Sequence, residues 1–303
     1  MRNAFIAKLT ELADDPRVFT ILADNGIIVF DDYIKKHPGQ LINVGIAECN
    51  GVGVASGMAS CGFMPFFYTI TPFLTARAYE FIRNDICLHK RNVKLVGIGA
   101  GFAYSALGPT HHGTEDITLM RSIPGLKIFS PADPEETKRA AVAAYEDPGP
   151  VYLRIGTGRN PAVYEGDADF IPGKAVVLKD GSDVTLFSTG TILRDILDAA
   201  FELEESGISA RVINVHTIRP IDKDIIFKAA KETKALFSIE EHSVVGGLGS
   251  AIADVIVQSD MAGVKFRMLG LNDVFAEGYG SVQELRAKYG FDKHSIIKAV
   301  KEV

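Results

Sequence analysis

One stretch of the chain decides the fold: Ile42-Asn43-Val44-Gly45-Ile46-Ala47-Glu48-Cys49-Asn50. It places Glu48 at the edge of a run of small and apolar residues, 51–59, and this composition predicts a closely packed helix over 48–60. A carboxylate in such surroundings is poorly hydrated, and glutamates are rarely buried without a partner. We therefore expect Glu48 to share a proton with a partner group, such as a ring nitrogen, near neutral pH.

Composition limits the class of protein. The chain has 303 residues, 47% of them hydrophobic and 23% charged, so its length predicts about two domains of ordinary size. The formal net charge of −6 and the pI of about 5.7 offer no basic surface to nucleic acid or to an anionic membrane. The sequence therefore predicts neither nucleic-acid nor membrane partners.

Cysteine usage and apolar runs indicate the compartment. Cys49, Cys61 and Cys87 are odd in number and lack C-x-x-C spacing, which argues against a disulfide framework and against a zinc site. The apolar run at 1–5 is too short for a signal peptide, and no apolar stretch reaches transmembrane length. These features predict a reduced, soluble, cytoplasmic protein.

Short β-branched runs alternate with helical patterns in the first half of the chain. Strands are predicted at 19–23, 93–98, 126–129 and 151–155, and helices at 48–60 and at 134–145 after the cap residue Asp133. This alternation predicts a doubly wound α/β domain with a parallel sheet that is covered on both faces.

A second α/β set follows a stretch without periodicity. Residues 156–173 are rich in glycine and proline and are the predicted linker. Beyond it, strands are predicted at 184–188, 210–215 and 235–239, and helices at 191–205 and 249–259. We therefore predict two doubly wound domains, 1–165 and a smaller one at 166–303.

A histidine-containing loop is the second candidate for chemistry. It runs from Gly108 to Ile117 and follows the glycine-rich turn 97–101 at a predicted strand end, where α/β sheets place their ligands. Its two histidines, His111 and His112, are suited to carrying a proton near pH 7. A histidine that only caps the following helix fits the pattern as well, and for His112 this is the favoured interpretation. Glu115 and Asp116 are expected to stabilise that helix through its dipole.

Two arginines and an aromatic segment complete the candidates. Arg154 ends a predicted strand and Arg159 lies in the loop after it, so both are candidates for binding phosphate or carboxylate, with surface ion pairing as the alternative. Segment 63–73 is rich in aromatic residues, most of which are expected in the core, although one can form a flat wall for a heteroaromatic ring. Arg77 and Arg83, on the helix expected next, are predicted to be structural.

Two glycine-rich turns imitate dinucleotide-binding loops. Residues 97–102 and 246–249 each bring several glycines together, but neither completes G-x-G-x-x-G. A dinucleotide site is therefore not predicted.

Taken together, these segments resemble the C-terminal half of transketolase, which holds its pyrimidine-binding and C-terminal domains. The resemblance covers nearly the whole chain in seven segments of matching order and spacing. They are 43–48, 65–83, 108–116, 130–133, 149–151 and, in the second domain, 214–222 together with 240–249.

The resemblance implies thiamine diphosphate as cofactor. Glu48 matches the glutamate that bonds N1′ of the aminopyrimidine and favours its imino tautomer. Phe73 is similar to the ring that stacks on the pyrimidine, with Ile70 as the alternative. His111 matches a histidine that contacts the substrate carbonyl and the 4′ amine. The resemblance further implies that Arg154 or Arg159 takes a terminal anion of the substrate, and that Asp24 lies at a strand end near the domain contact.

The family's diphosphate-binding motif is missing. Thiamine enzymes hold the diphosphate through Mg²⁺ on a G-D-G motif and a later asparagine, and no G-D-G occurs in this chain. The resemblance therefore implies one half of a split transketolase, with Mg²⁺ ligands on a partner chain that carries the diphosphate-binding domain. We expect a two-plus-two assembly that acts on sugars or sugar phosphates.

Three departures from the family concern the substrate. Leu107 stands where many members have an aspartate that contacts donor hydroxyls, Gly99 where others have a histidine, and Ile28 where others have a phosphate-binding serine. Losing polar partners changes which hydroxyls a site recognises. The sequence thus predicts ketol transfer from an altered ketose donor.

Three other functions stay open at this stage. They are the β subunit of a 2-oxoacid dehydrogenase E1 component, a 1-deoxyxylulose-5-phosphate synthase-like enzyme, and a degenerate scaffold subunit without activity. The loop 110–116 fits transketolase better than the E1 component, and the synthase is normally a longer chain with its own diphosphate domain. Retention of both Glu48 and His111 argues against the scaffold.

Overall fold

The structure is a computed structural model that describes residues 1–158, 160–164, 166, 169–259, 261 and 263–303. Its first half forms the elements α1 (Arg2–Leu12), β1 (Val18–Leu22), α2 (Asp31–Lys36), β2 (Leu41–Asn43), α3 (Glu48–Ser60), β3 (Met64–Ile70), α4 (Tyr79–Phe81), β4 (Lys94–Ile98), α5 (Asp116–Arg121), β5 (Lys127–Phe129), α6 (Pro134–Glu146) and β6 (Val151–Ile155). Two π-helical segments, Phe73–Arg77 and Ile82–Leu88, flank α4.

The second half forms another α/β unit. Its elements are β7 (Val176–Lys179), β8 (Val184–Ser188), α7 (Leu193–Glu205), β9 (Ala210–Asn214), β10 (Thr217–Arg219), α8 (Lys223–Glu232), β11 (Ala235–Ser243), α9 (Leu248–Val257), β12 (Lys265–Leu271), α10 (Val282–Lys288) and α11 (Lys293–Lys301).

Two sheets organise the part of the chain that the structure describes. The first has the strand order β10-β5-β6-β4-β3-β1-β2 and the second β12-β11-β8-β9-β7. Most neighbours are parallel, as predicted, but β10 runs antiparallel to β5 and β7 antiparallel to β9, both at sheet edges. Strand β10 lies in the second half of the chain, beyond the predicted boundary at 165/166. It nevertheless pairs with β5 and so joins the first sheet.

Helices cover both faces of each sheet. Alternate residues of β3 show this: Phe66 and Tyr68 pack in one apolar cluster and Phe67 in another. In β8, Leu186 and Phe187 divide in the same way. Strands buried on both faces therefore read as continuous apolar runs, and this makes them recognisable in the sequence.

Local signals in the sequence place several helix starts. The side chain of Asp133 accepts a hydrogen bond from the backbone of Glu136, and Pro134 occupies the first turn of α6. In α10, Ser281 and Glu284 form a reciprocal capping box. Helix α3 begins and ends where the composition predicted, at Glu48 and Ser60.

No helix among the described residues is long and apolar enough to cross a membrane.

Helix α3 lies on β3 at a distance that its small residues permit. A Cβ added at Gly51 would come within 2.5 Å of Cζ of Phe67, a ring with no exposed surface. A Cβ added at Gly53, on the exposed side of the helix, meets no described atom within 4 Å. Close packing on β3 thus requires a glycine at position 51 on the buried face of α3, but not at position 53 on the exposed face.

We predict that Gly51→Ala destabilises the chain by about 1–3 kcal/mol, because the methyl group forces the buried Phe67 ring from its place. Gly53→Ala is the matched control on the same helix. It should be neutral or stabilise by about 0.5–1 kcal/mol, because alanine is the better helix former. Urea unfolding followed by circular dichroism measures both, and equal effects of the two substitutions would contradict the close packing of α3 on β3.

Candidate functional site

The predicted site residues collect at the carboxyl ends of the parallel strands of the first sheet. Asp24 follows β1, Glu48 follows β2, Phe73 follows β3, and His111 lies in the long connection after β4. Parallel strands bring these ends to the same edge of a sheet, which is where ligands bind in α/β folds. Residues spread over almost ninety positions therefore share one side of the domain.

Glu48 is the buried acid of this edge. It is the first residue of α3, its side chain is 2% exposed, and the helix N-terminus stabilises a carboxylate there. Its Oε2 accepts a hydrogen bond from Nη1 of Arg77 at 2.5 Å. The expectation that this carboxylate is buried and has a partner agrees with this geometry, and the partner within the chain is an arginine.

Phe73 connects Arg77 to His111. The Cζ atom of Arg77 lies 4.7 Å from the centroid of the Phe73 ring, and the ring of His111 meets Phe73 edge-on with centroids 5.1 Å apart. On its other side, Nδ1 of His111 lies 3.0 Å from Oγ1 of Thr110. Glu48, Phe73 and His111 thus form one cluster, in which Arg77 links Glu48 to Phe73 and Phe73 contacts His111.

The sequence interpretation missed Arg77. It was predicted to be structural on a regular helix, but segment Phe73–Arg77 is π-helical, and the wider turn changes which side chains share a face. This directs Arg77 towards Glu48. Arg83, which was grouped with Arg77, donates to the neighbouring Asn84 in the second π-helical segment. Nothing in the residue pattern distinguished these two arginines.

Asp24 and Ile70 lie beside this cluster. Asp24 has a left-handed backbone conformation (φ 55°) and forms two hydrogen bonds with Asn43. The Asp24 amide donates to the Asn43 side-chain oxygen at 3.1 Å, and the Asn43 side-chain amide donates to Oδ1 of Asp24 at 2.9 Å. The same Asn43 oxygen accepts from Gly45, on the way to Glu48. Asp24 therefore supports the loop that delivers Glu48. Ile70 is half-buried at the end of β3.

Apolar and aromatic side chains surround the first part of the loop that carries His111. Leu107 is 51% exposed, and the Tyr279 ring lies against Gly108 next to it. The ring of Tyr104 covers Gly99 so closely that a Cβ there would lie 2.2 Å from it. Tyr104 therefore fills the space that a side chain at position 99 would use. It is a second residue that sequence reasoning missed.

His112 and Ile28 differ sharply in exposure. The His112 ring is buried against Phe102, and burial lowers its pKa. It does not cap α5, because the Ile117 amide at the start of that helix donates to His242. Ile28 is 79% exposed, in the short helical turn after β1.

Arg154 requires a correction. Its side chain is 3% exposed, Nε donates to Asp116 at 2.8 Å, and Nη2 donates to the carbonyls of Gly113 and Glu241. The Tyr152 hydroxyl donates to the same Asp116 oxygen at 2.7 Å. A guanidinium committed to these interior acceptors is not placed to hold a substrate anion. The reason is that Arg154 stands on a strand covered on both faces, and Asp116 faces inwards as its partner instead of serving only the helix dipole.

The predicted partner of Arg154 in this role, Arg159, lies outside the described residues.

Two adjacent glutamates fill the two glycine-rich turns. Glu240, fully buried on β11, accepts from the amides of Leu248 and Gly249 at 2.6 and 2.8 Å, where a dinucleotide loop would hold phosphate. Burial raises the pKa of Glu240 to about 7. Glu241, on the opposite face of the strand, accepts from the Phe102 amide beside the other turn. Both turns therefore hold the chain's own carboxylates, which agrees with the dismissal of a dinucleotide site.

Metal ligation finds no support in the described part of the chain. It contains no group of three or more histidine, cysteine, aspartate or glutamate residues arranged to hold a metal ion.

Two family models match the chain along most of its length. The model described as the transketolase pyrimidine-binding domain matches residues 1–161, and the one described as the transketolase C-terminal domain matches residues 173–296.

Individual relatives agree with these models. A protein of Phocaeicola vulgatus, named as one subunit of an apulose-4-phosphate transketolase, is 36% identical over 99% of this chain and 96% of its own length. The 6-deoxy-6-sulfo-D-fructose transketolase subunit SqwH of a Clostridium species is 36% identical over 100% of this chain and 94% of its own length. A solved structure described as a split gene transketolase, inactive beta4 tetramer, superposes with a TM-score of 0.89 at 38% identity, covering 99% of this chain and 96% of that one.

We predict that Arg154→Met destabilises the chain by about 3–5 kcal/mol, because it leaves the buried carboxylate of Asp116 without its cation. Urea unfolding of the purified chain measures the loss. The exposed Arg83→Met serves as control and should change stability by less than about 0.5 kcal/mol. A variant of normal stability that instead binds phosphorylated sugars more weakly would restore the anion-binding role of Arg154.

Proposed function

The chain belongs to the transketolase family, and from that premise we propose that it is the pyrimidine-binding subunit of a two-chain transketolase. The reaction is the transfer of a two-carbon ketol unit from a ketose donor to an aldose acceptor. The observation that carries this proposal is the cluster of Glu48, Phe73 and His111 at one sheet edge, in a chain that has no G-D-G motif.

The residues of this cluster fit the pyrimidine end of thiamine diphosphate. The planar guanidinium of Arg77 lies over the Phe73 ring and donates an N–H to Glu48. Phe73 and Glu48 thus already accept a flat group with in-plane N–H donors. An aminopyrimidine ring presents the same features. When bound, thiamine diphosphate supplies the carbanion chemistry on which ketol transfer depends.

The chain's own residues would hold and move protons around that ring. Glu48 would exchange a proton with N1′, and its burial strengthens this hydrogen bond because little water competes for it. Phe73 would orient the ring by stacking, with Ile70 as the alternative stacking residue. His111, beside both Phe73 and Thr110, would donate to the substrate carbonyl.

The diphosphate end requires a second polypeptide. We propose that a partner chain with a G-D-G motif and a later asparagine holds Mg²⁺ and the diphosphate. The active assembly would contain two copies of each chain, with the site between subunits. The name of the Phocaeicola vulgatus relative, which designates it as one subunit of a transketolase, supports a divided enzyme. The cytoplasmic location stays a prediction from the sequence.

The substrate would be a ketose other than the common sugar phosphates. Leu107 presents an exposed apolar surface in the loop that carries His111, and Tyr104 fills the space over Gly99. The names of two relatives, which refer to apulose 4-phosphate and to a sulfonated fructose, support an unusual donor. Arg159 remains the proposed contact for a terminal anion.

The alternatives are less well supported. A 1-deoxyxylulose-5-phosphate synthase-like function would depend on a diphosphate-binding domain, and these 303 residues carry no G-D-G motif for one. A 2-oxoacid dehydrogenase E1 component shares the fold and the glutamate, but not the loop around His111 that the sequence analysis matched to transketolase. A scaffold without activity would not need the buried Glu48.

We predict that Glu48→Gln lowers the turnover of the reconstituted two-chain enzyme at least about a hundredfold, because an amide cannot exchange the proton. The assay combines this chain, the partner chain, thiamine diphosphate and Mg²⁺, and follows ketol transfer from a panel of ketoses. Asn50→Ala, on the exposed face of the same helix, is the matched control for α3.

Two results would contradict the proposal. One is a Glu48→Gln complex with normal turnover. The other is ketol transfer at full rate by this chain alone, because a lone chain lacks the motif for the diphosphate.

We predict that Leu107→Asp shifts the ratio of kcat/KM for xylulose 5-phosphate to that for the best altered ketose at least about tenfold towards xylulose 5-phosphate. The new carboxylate would pair with donor hydroxyls that leucine leaves without a partner. Leu107→Met, which conserves volume and polarity, should leave the ratio unchanged. An unchanged ratio in the aspartate variant would remove Leu107 from the specificity of the enzyme.

A further inference from the structure

Arg77 makes two contacts that the proposed cofactor also needs. Its Nη1 donates to Glu48 Oε2 at 2.5 Å, and its Cζ lies 4.7 Å from the centroid of the Phe73 ring. The side chain of Glu48 is 2% exposed and that of Arg77 47%. The guanidinium therefore lies between a buried carboxylate and the solvent.

A guanidinium resembles a flat nitrogen heterocycle in its interactions. It is planar, carries N–H donors in its plane and stacks on aromatic faces. An aminopyrimidine ring held by Glu48 and Phe73 would use the same carboxylate and the same aromatic wall. The arginine and the ring therefore compete for one position.

We propose that Arg77 is an internal placeholder for the pyrimidine ring: it pairs with Glu48 in the cofactor-free chain and leaves when thiamine diphosphate binds. This inference rests on the proposed function, because it assumes that Glu48 and Phe73 receive that ring. It adds a residue that controls access to Glu48.

In a divided enzyme, the buried carboxylate of Glu48 needs a partner before the cofactor binds. Glu48 begins α3 on the domain interior, and leaving it there without a partner would destabilise the chain. Arg77 supplies a partner in the free chain, before the polypeptide that holds the diphosphate arrives. Its exposure leaves it room to turn outwards, whereas Glu48 is fixed by the first turn of its helix.

The placeholder also weakens cofactor binding. Only the fraction of molecules in which Glu48 is free can receive the ring, and the apparent affinity falls by that fraction. Removing Arg77 should therefore have two opposite effects. The free chain loses stability, while the assembled enzyme gains affinity for its cofactor. A purely structural arginine would lower both.

The test measures the affinity of the two-chain complex for thiamine diphosphate at fixed Mg²⁺ by calorimetry, together with the melting temperature of the free chain. For Arg77→Ala we expect a roughly five- to tenfold lower apparent Kd and a lower melting temperature. Arg77→Lys keeps the charge without the planar stack, so it should lower Kd less. It also keeps the proposal testable if the alanine variant does not fold.

Arg83→Ala is the matched control, because Arg83 lies in the next π-helical segment and donates to Asn84 instead of the site. It should change neither quantity. An Arg77→Ala complex whose Kd is unchanged or higher would overturn the placeholder. Failure of the proposed function has a different signature, namely normal turnover of the Glu48→Gln complex, so the two ideas can fail separately.

Discussion

The arrangement of both halves of the molecule depends on one buried guanidinium, that of Arg154. It joins Asp116 and the Gly113 carbonyl of the histidine loop to the main chain of Glu241 on β11. Charges are tolerated in an interior only where each has a partner, so these groups must meet in one arrangement. His111 belongs to the loop held in this way. The contact between the two α/β units therefore also determines where a histidine stands at the sheet edge.

Adjacent positions on β11 extend this contact. Side chains alternate along a strand, so Glu240 and Glu241 point to opposite faces. Glu240 occupies the amides at the start of α9, while Glu241 accepts from Phe102, Thr191 and Arg286. Each glycine-rich turn thus receives a carboxylate of the chain itself. The anion-binding capacity of these turns is used to join elements, and the proposed cofactor site lies elsewhere, around Glu48.

Much of the fold could be predicted because buried parallel strands and capped helices have local signatures. The strand predicted at 151–155, the helix at 48–60 and the cap at Asp133 agree with the structure. Segment 63–73 was predicted as core, but its strand β3 was not recognised. The antiparallel edge strand β10 was missed because pairing between distant segments leaves no period in the sequence. The cluster of Glu48, Phe73 and His111 was anticipated through motifs that the family shares.

The sequence by itself determined the fold class and the identity of the buried acid, which follow from periodicity and composition, while its resemblance to transketolase indicated the family. Only the tertiary structure decided what each arginine does. Neither arginine had a partner that the sequence could name, yet Arg154 lies in the interior with Asp116 and Arg77 lies over Phe73 with Glu48. A guanidinium binds whichever acceptor the fold brings within reach, and that choice depends on strand burial and on a π-helical turn. The acceptors Asp116 and Glu48 lie 38 and 29 positions from their arginines along the chain, so no local pattern identifies them.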